Sequence, residues 1–118
     1  MMSEEAHMYG IKNCDTVRKA IRWLAGKEIN SQFYDLKTEE LADELIIEWL
    51  DQVGEDKLIN RRGLTWRKVD AEDKILNNQE AYISLVKKYP TVVKRPVVFN
   101  GKFWSVGFKP DEWNDMFL

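Results

Sequence analysis

A strand-like run, a helical repeat and a second strand-like run follow one another near the start of the chain, and this succession constrains the fold more than any other feature. The segments Ala6–Ile11 and Ser31–Leu36 each suit a short strand. Between them lies a predicted helix, whose apolar positions at helical spacing are Val17, Ala20, Ile21 and Leu24. A β-α-β unit of this length predicts two parallel strands joined by a right-handed crossover.

The only cysteine of the chain, Cys14, stands where the first strand gives way to this helix. The first turn of a helix carries unpaired N–H groups and the positive end of the helix dipole, and both favour a thiolate over a thiol. Because the thiolate is a nucleophile, the position predicts sulfur chemistry, and a small buried hydrophobic side chain is the alternative. We expect Asp15 or Thr16 to cap the helix, Gly26 to end it and Gly10 to mark a close backbone approach near the cysteine.

Helical signals dominate the middle of the chain. Thr38 is expected to open a helix that ends near Gly54. The core positions of this helix recur at every fourth residue and are Leu41, Leu45, Trp49 and Val53. A small helix is predicted near residues 74–76, and the spacing of Asn77–Glu80 predicts a capping box for a further helix that Pro90 terminates.

The last part of the chain predicts an antiparallel hairpin and a final helix. Val92–Phe99 and Lys102–Val106 are rich in strand-forming residues, and Asn100-Gly101 between them is a strong hairpin signal. Pro110 is expected in the first turn of the last helix. The inner face of that helix would carry Trp113, Met116 and Phe117.

The element order is therefore β-α-β, a helical insertion and β-β-α, which is the order of a thioredoxin-like domain. This predicts an α/β (α+β) fold with a four-stranded mixed sheet and flanking helices. We expect one domain over residues 1–118, with a loose tail at 1–5 and the insertion at about 38–89. Pro96 falls at the start of the third strand, where thioredoxin-like domains carry a proline, and we predict a cis bond between Arg95 and Pro96.

Composition narrows the classes of function. The net charge of -2 gives no overall attraction to nucleic acid or to an anionic membrane. A single cysteine excludes an intrachain disulfide, and with His7 as the only histidine the usual Cys/His zinc sites cannot form. No signal-peptide core precedes Tyr9 and no apolar run reaches membrane-spanning length. We therefore expect a cytoplasmic monomer without a metal, nucleic-acid or membrane partner.

Any redox reaction of Cys14 needs a second thiol from outside the chain. Position 17 is valine, so the Cys-x-x-Cys pattern is absent and an adduct must be resolved by glutathione or a partner thiol. Among the cationic residues, Arg95 is expected beside the helix that bears Cys14, because the loop before the third strand faces the first strand-to-helix loop. Its guanidinium would bind a carboxylate or a tetrahedral oxyanion with two hydrogen bonds. Lys12 and Asn13 directly precede the cysteine and are further candidate donors.

Four segments of the chain, taken together, resemble the ArsC family of arsenate-reductase-like proteins and its YffB-type branch. These segments are Tyr9–Thr16, Asn60–Lys68, Lys94–Val98 and Val106–Phe108. The resemblance implies a thioredoxin-like fold, a catalytic cysteine at Cys14 and arginines at an anion site. Arg95 matches the family's arginine before proline, and Arg62 matches its mid-chain arginine. Lys109 stands where the arsenate reductases carry a further arginine.

The resemblance also implies an enzyme that acts on sulfur. YffB-type proteins are regarded as glutathione-dependent thiol reductases, so we expect Cys14 to form a mixed disulfide that an external thiol resolves. Cys14 and Arg95 would be catalytic. The residues expected to hold glutathione, the implied co-substrate, are Lys12, Asn13, Arg62, Arg67, Pro96 and Lys109.

Two alternatives remain open within the same resemblance. One is arsenate reduction coupled to glutathione and glutaredoxin; Asp15, where the arsenate enzymes have glycine, places a carboxylate near the anion site and argues against it. The other is a regulator like Spx, which shares the fold and contacts RNA polymerase without turning over a substrate. Spx resembles a Cys-x-x-Cys switch, so Val17 argues against this alternative.

Overall fold

The computed structural model describes residues 5–118. Its strands are β1 (Ala6–Gly10), β2 (Ser31–Asp35), β3 (Val97–Phe99) and β4 (Trp104–Val106). Its α-helices are α1 (Asp15–Gly26), α2 (Asp43–Gln52), α3 (Glu55–Leu58), α4 (Leu64–Arg67), α5 (Gln79–Lys88) and α6 (Pro110–Phe117), with short 3-10 helices at Ala71–Lys74 and Pro90–Val92. These elements form two compact units, a sheet unit (residues 5–35 and 95–118) and a helical unit (residues 36–94).

The four strands form one mixed sheet in the order β2-β1-β3-β4. The central strand β1 runs parallel to β2 and antiparallel to β3, and β4 pairs antiparallel with β3. The parallel pair confirms the predicted β-α-β unit, and the antiparallel pair confirms the predicted hairpin. The protein therefore has the predicted α/β architecture with a thioredoxin-like order of elements.

The core of the sheet unit joins alternate residues of the strands to helices α1 and α6. Its buried members are Ala6, Met8, Val17, Ala20, Leu24, Ile29, Val98 and Trp113. Met116 and Phe117 of α6 pack against this cluster, as predicted. The prediction for Ile21 was wrong, because this side chain is 37% exposed. Ile21 directly follows Ala20 in the helix, and the core-facing stripe runs from Val17 through Ala20 to Leu24.

Asn100 organises the loop of the β3–β4 hairpin. Its backbone N–H donates to the Phe103 carbonyl oxygen at 3.1 Å, and its side-chain oxygen accepts from the N–H groups of Lys102 and Phe103 at 2.8 and 2.6 Å. The side-chain nitrogen donates to the carbonyl oxygen of Met116 in α6 at 2.7 Å. This buried amide therefore fixes the hairpin loop and also joins it to the last helix.

The helical unit differs from the prediction at the start of α2. The helix begins at Asp43 rather than at Thr38, because residues 36–38 form a turn and Ala42 is still extended. Two carboxylates, those of Asp43 and Glu44, then occupy the first turn, where the helix dipole favours them. Leu41 is buried but precedes the helix, and the buried residues of α2 are Ile46 and Trp49.

Helix α5 starts one residue later than the predicted capping box. Asn78, rather than Asn77, is the N-cap, and its side-chain oxygen accepts from the Ala81 N–H at 2.9 Å. The helix ends at Lys88, just before Pro90, as predicted. The short helix predicted near residues 74–76 is a 3-10 turn at Ala71–Lys74.

The predicted tail at residues 1–5 lies outside the described residues, apart from Glu5. Within the described part of the chain, no helix combines the length and the apolar composition that crossing a bilayer requires. The organisation as one domain over residues 1–118 stays a prediction.

Candidate functional site

One edge of the sheet gathers the ends of three strands. Tyr9 pairs with Val97, and Val97 also pairs with Val106. The next residue outward on each strand is therefore Gly10, Pro96 or Gly107, and the Gly107 N–H donates to the Pro96 carbonyl oxygen at 2.8 Å. The chain leaves this edge toward helix α1 and toward helix α6. The N-terminal ends of α1 and α6 are therefore reached directly from this end of the sheet.

Cys14 is the N-cap residue of α1. Its backbone is extended, with φ of -147° and ψ of 121°, and its carbonyl oxygen accepts from the Arg18 N–H at 2.9 Å. The side chain makes no capping hydrogen bond. The thiol is half-buried and packs against the hydrophobic core of the sheet unit. The side chain therefore combines contact with the core, which fixes its place, with partial access to solvent, which a reactive thiol requires.

Gly10 allows α1 to lie close to β1 directly before the cysteine loop. A Cβ atom at this position would lie 2.8 Å from Cγ2 of Val17 and 3.5 Å from Cε1 of Phe33. The close approach predicted from the sequence is thus confirmed, although the nearest atoms belong to side chains rather than to backbone. Glycine here sets the distance between the strand and the helix that bears Cys14.

The prediction that Asp15 or Thr16 caps α1 was wrong, because both residues lie inside the helix. Asp15 is the first residue of α1, and its carboxylate, with the side chain 84% exposed, pairs with Nη2 of Arg18 at 2.5 Å. Nη1 of Arg18 donates to the carbonyl oxygen of Lys12 at 3.3 Å. The cap position belongs to Cys14, so the carboxylate lies one residue inside the helix and finds an i,i+3 partner instead.

The peptide bond between Arg95 and Pro96 is cis, as predicted. Pro96 is buried and directly precedes β3, and Arg95 is half-buried with its Nε atom inside the protein. The pairing of β1 with β3 runs in opposite directions, so Arg95 precedes β3 at the same edge where the chain leaves β1 for Cys14. The predicted common location of Arg95 and the cysteine loop thus agrees with the strand register.

Lys12, Asn13 and Lys109 are exposed residues of the same unit. Lys12 and Asn13 form a bend between β1 and Cys14. Lys109 is the N-cap residue of α6, and its ammonium lies 3.5 Å from the carboxylate of Glu112. The sheet edge therefore carries cationic or polar side chains in each of the loops that lead to α1, β3 and α6.

Arg62 and Arg67 belong to the helical unit, where both are exposed. The Arg62 N–H donates to the side-chain oxygen of Asn60 at 3.1 Å. Two cations lie near the ring of Trp66, which is also in this unit: the guanidinium carbon of Arg61 is 5.4 Å from the ring centroid, and Nζ of Lys74 is 5.1 Å from it. This segment is thus a cationic surface built around one aromatic ring.

Comparison with known proteins identifies the family of this chain. A sequence model of the ArsC family matches residues 9–116, which include the end of β1, the cysteine loop, the helical unit and the cis proline. The chain belongs to the ArsC family. This membership confirms the resemblance found in the four sequence segments, and it agrees with the thioredoxin-like order of the elements.

Relatives of the ArsC-family chain include proteins of different described roles. The solved structure of the YFFB protein is 34% identical, has a TM-score of 0.89 and covers 96% of this chain and 99% of that chain. An arsenate reductase (ArsC) related protein from Brucella melitensis is 36% identical, with a TM-score of 0.73 and coverage of 98% and 96%. The global transcriptional regulator Spx of Streptococcus pyogenes is 30% identical over 85% of this chain and 75% of its own length.

Arg18 is the residue of this ArsC-family site that the sequence analysis missed. It lies in the first turn of α1 and contacts Lys12 and Asp15 on either side of Cys14. The spacing of Asp15 and Arg18 is a signal that could have found it, because oppositely charged residues three apart in a helix are neighbours.

Proposed function

We propose that this ArsC-family protein is a glutathione-dependent thiol reductase with Cys14 as its nucleophile. The Cys14 thiolate attacks the glutathione sulfur of a mixed disulfide, so that a Cys14–glutathione disulfide forms and the substrate leaves as a thiolate. A second glutathione thiolate then attacks that disulfide, which releases glutathione disulfide and regenerates the Cys14 thiolate. The substrate disulfide is reduced and two glutathione moieties end as the oxidised dimer, so electrons and atoms balance.

The observation that carries this proposal is the position of Cys14 at the start of α1. The thiol lies at the positive end of a helix of 12 residues and retains access to solvent. Val17, one turn away, is fully buried in the core. Since no second cysteine exists in the chain, the resolving thiol has to come from outside, and glutathione supplies it.

The polar residues of the sheet edge fit a small peptide with carboxylates. Arg95 offers a planar fork for a carboxylate, and Lys12 and Lys109 offer exposed ammonium groups. Asn13 adds an amide beside the cysteine, and Pro96 shapes the loop that faces it. The contributions of Arg62 and Arg67 in the helical unit stay predictions from the family resemblance.

Turnover of a glutathione mixed disulfide tests the proposal directly. The substrate is the mixed disulfide of glutathione and 2-mercaptoethanol, with glutathione reductase and NADPH as the coupled system. We expect NADPH consumption by the native chain, none above background by C14S, and a raised KM for Arg95→Gln. A native chain that shows no turnover and no glutathionyl adduct by mass spectrometry would refute the assignment.

Arsenate reduction is the second candidate, and membership of the ArsC family favours it. The objection from Asp15 is weaker than the sequence suggested, because Arg18 pairs with that carboxylate. Lys109 still stands where the resemblance expects a further arginine, and an ammonium lacks the two-point geometry of a guanidinium. Arsenate-dependent NADPH consumption with glutathione and glutaredoxin distinguishes this candidate, and we expect little of it.

Transcriptional regulation is the third candidate, favoured by the similarity to Spx of Streptococcus pyogenes. It predicts a stable complex with RNA polymerase that survives the C14S substitution. Co-purification of polymerase subunits with both the native chain and C14S, together with the absence of turnover, would move the assignment to this class.

A further inference from the structure

Arg18 forms hydrogen bonds with the loop that carries the candidate nucleophile, Cys14. Its Nη1 atom donates to the Lys12 carbonyl oxygen at 3.3 Å, and its Nη2 atom lies 2.5 Å from Oδ1 of Asp15. Its backbone N–H donates to the Cys14 carbonyl oxygen at 2.9 Å. One residue in the first turn of α1 therefore contacts the first residue of the bend, the cysteine itself and the residue after the cysteine.

These hydrogen bonds are important for the start of α1 because this helix lacks a side-chain cap. The Cys14 side chain makes no capping hydrogen bond, so the usual tie between the N-cap residue and the first turn is missing. The guanidinium of Arg18 supplies a different tie, from the helix back to the Lys12 carbonyl. The loop that carries Cys14 is thus linked to α1 by a side chain from the first turn of the helix.

Arg18 also pairs with the charged residue that follows the cysteine. Asp15 directly follows Cys14, and its carboxylate would repel a thiolate and compete with it for the N–H groups of the first turn. The pairing with Arg18 holds this carboxylate outward, where the Asp15 side chain is 84% exposed. A carboxylate released from Arg18 would be free to turn toward the helix N-terminus.

We propose that Arg18 is a positioning residue for Cys14: it holds the loop from Lys12 to Asp15 in place and keeps the Asp15 carboxylate away from the thiolate. This inference rests on the proposed function, because it gives the ion pair a purpose only if Cys14 reacts as a thiolate. It goes beyond that function in making the reactivity of Cys14 depend on coupling between Arg18 and Asp15.

The test is the rate of alkylation of Cys14 by iodoacetamide, measured in the full chain between about pH 5 and pH 9 without glutathione. We expect R18Q to slow alkylation at pH 7 by ~3-fold, because the Asp15 carboxylate, released from its partner, would repel a nearby thiolate in a solvated site. D15N should change the rate little in the native background and should restore most of it in the R18Q background. R18K keeps the charge but loses the fork, so its rate should fall between those of the native chain and R18Q.

Arg22 provides the matched control, because it is an exposed arginine one turn further along the same helix. R22Q makes the same change of net charge and should leave the alkylation profile unaltered. The charges of Lys12, Arg95 and Lys109 are present in every variant, so they cancel in the comparison. Thermal melting of each variant separates local effects on the thiol from loss of the fold.

Two results would overturn the positioning role. One is a D15N substitution that changes the alkylation rate by the same factor with and without Arg18. Equal factors would mean that the two charges act independently, whereas a carboxylate that Arg18 holds away from the thiol should matter only once Arg18 is removed. The other is a rate for R18Q that matches R22Q. Failure of the proposed function looks different, because the coupling between Arg18 and Asp15 would persist in alkylation while the native chain turned over no glutathione mixed disulfide.

Discussion

Helices α1 and α5 begin in different ways. At the start of α5 the side chain of Asn78 accepts from the Ala81 N–H at 2.9 Å, which is a normal capping bond. At the start of α1 the N-cap residue is Cys14, whose side chain makes no such bond. A thiol is a poor acceptor, so α1 forgoes stabilisation of ~1 kcal/mol that a good cap gives. Helices α2, α3, α4 and α6 also begin without a side-chain capping bond. What sets α1 apart is that its N-cap residue is the candidate nucleophile, at a position where serine or asparagine would cap better.

The sharpest test of this contrast is the substitution C14S. Serine has nearly the shape of cysteine, but its hydroxyl stays protonated at neutral pH and should lower turnover of a glutathione mixed disulfide by ~10³-fold or more. Serine is also a preferred N-cap residue, so unfolding in urea should show equal or higher stability, by up to ~1 kcal/mol. A variant that is both inactive and clearly less stable would break the contrast, because Cys14 would then be needed for the fold.

A second test concerns the packing that places α1 against β1. G10A puts a methyl group 2.8 Å from Cγ2 of Val17, so we expect a loss of ~2 kcal/mol in the free energy of unfolding. Gly26, at the end of the same helix, is the matched control, since a Cβ there meets nothing within 4 Å. G26A should therefore leave stability unchanged or slightly raised.

The double variant G10A with Val17→Ala sharpens the reading of that test. Removing the Val17 methyl groups relieves the contact, so the double variant should be more stable than the sum of the two single losses predicts. Additive losses would mean that the added methyl group acts somewhere other than on Val17.

The third test addresses the start of α5. N78A should lower the free energy of unfolding by ~1 kcal/mol through loss of the bond to Ala81, and it should leave the alkylation rate of Cys14 unchanged. Asn77→Ala is the control, because the sequence pattern favoured Asn77 as the cap. A larger loss for Asn77→Ala than for N78A would return the cap to the predicted residue.

The fold of the sheet unit was predictable because its sequence signals fall on the residues that form its strands and its hairpin loop. The backbone has few alternatives at the strand-forming runs, at Asn100-Gly101 and at Pro96. The strand register then places the ends of β1, β3 and β4 next to one another. The start of α2 was missed because Thr38 and Leu41 match a helical repeat, while the turn after β2 delays the helix to Asp43. Local periodicity cannot show such a delay, because tertiary structure sets it.

The cysteine loop shows a second limit of prediction. The sequence located Cys14 and, through Pro96, the cis peptide bond. It assigned the cap to Asp15 or Thr16, because aspartate and threonine are common N-cap residues. The choice between capping and pairing with Arg18 depends on which residue first takes helical dihedral angles, and a one-residue shift reverses the result. Boundaries of this precision require coordinates.

The last and smallest test uses pH, and it acts on α5 but not on α1. Lys88, the final residue of α5, donates to the Asp73 carboxylate at 2.9 Å, and Tyr89 donates to the same oxygen at 2.9 Å. The hydrogen bonds from Lys88 and Tyr89 lower the pKa of Asp73 below its ordinary value of 3.8, and the hydrogen bond to Asp73 raises the pKa of Lys88 above 10.5. Both shifts favour the charged pair in the folded protein.

The sign of the pH effect follows from these two directions. The contribution of Asp73 is present above pH 3.8 and is lost as pH falls through its lowered pKa, while that of Lys88 is present below pH 10.5 and is lost as pH rises through its raised pKa. Asp73→Asn should therefore flatten the acid limb of a urea-unfolding profile slightly, since the groups are solvent-screened. The alkylation profile of Cys14 should stay as in the native chain. A shift in that profile would show that the C-terminal end of α5 is coupled to the start of α1, and the two helices could no longer be treated as independent.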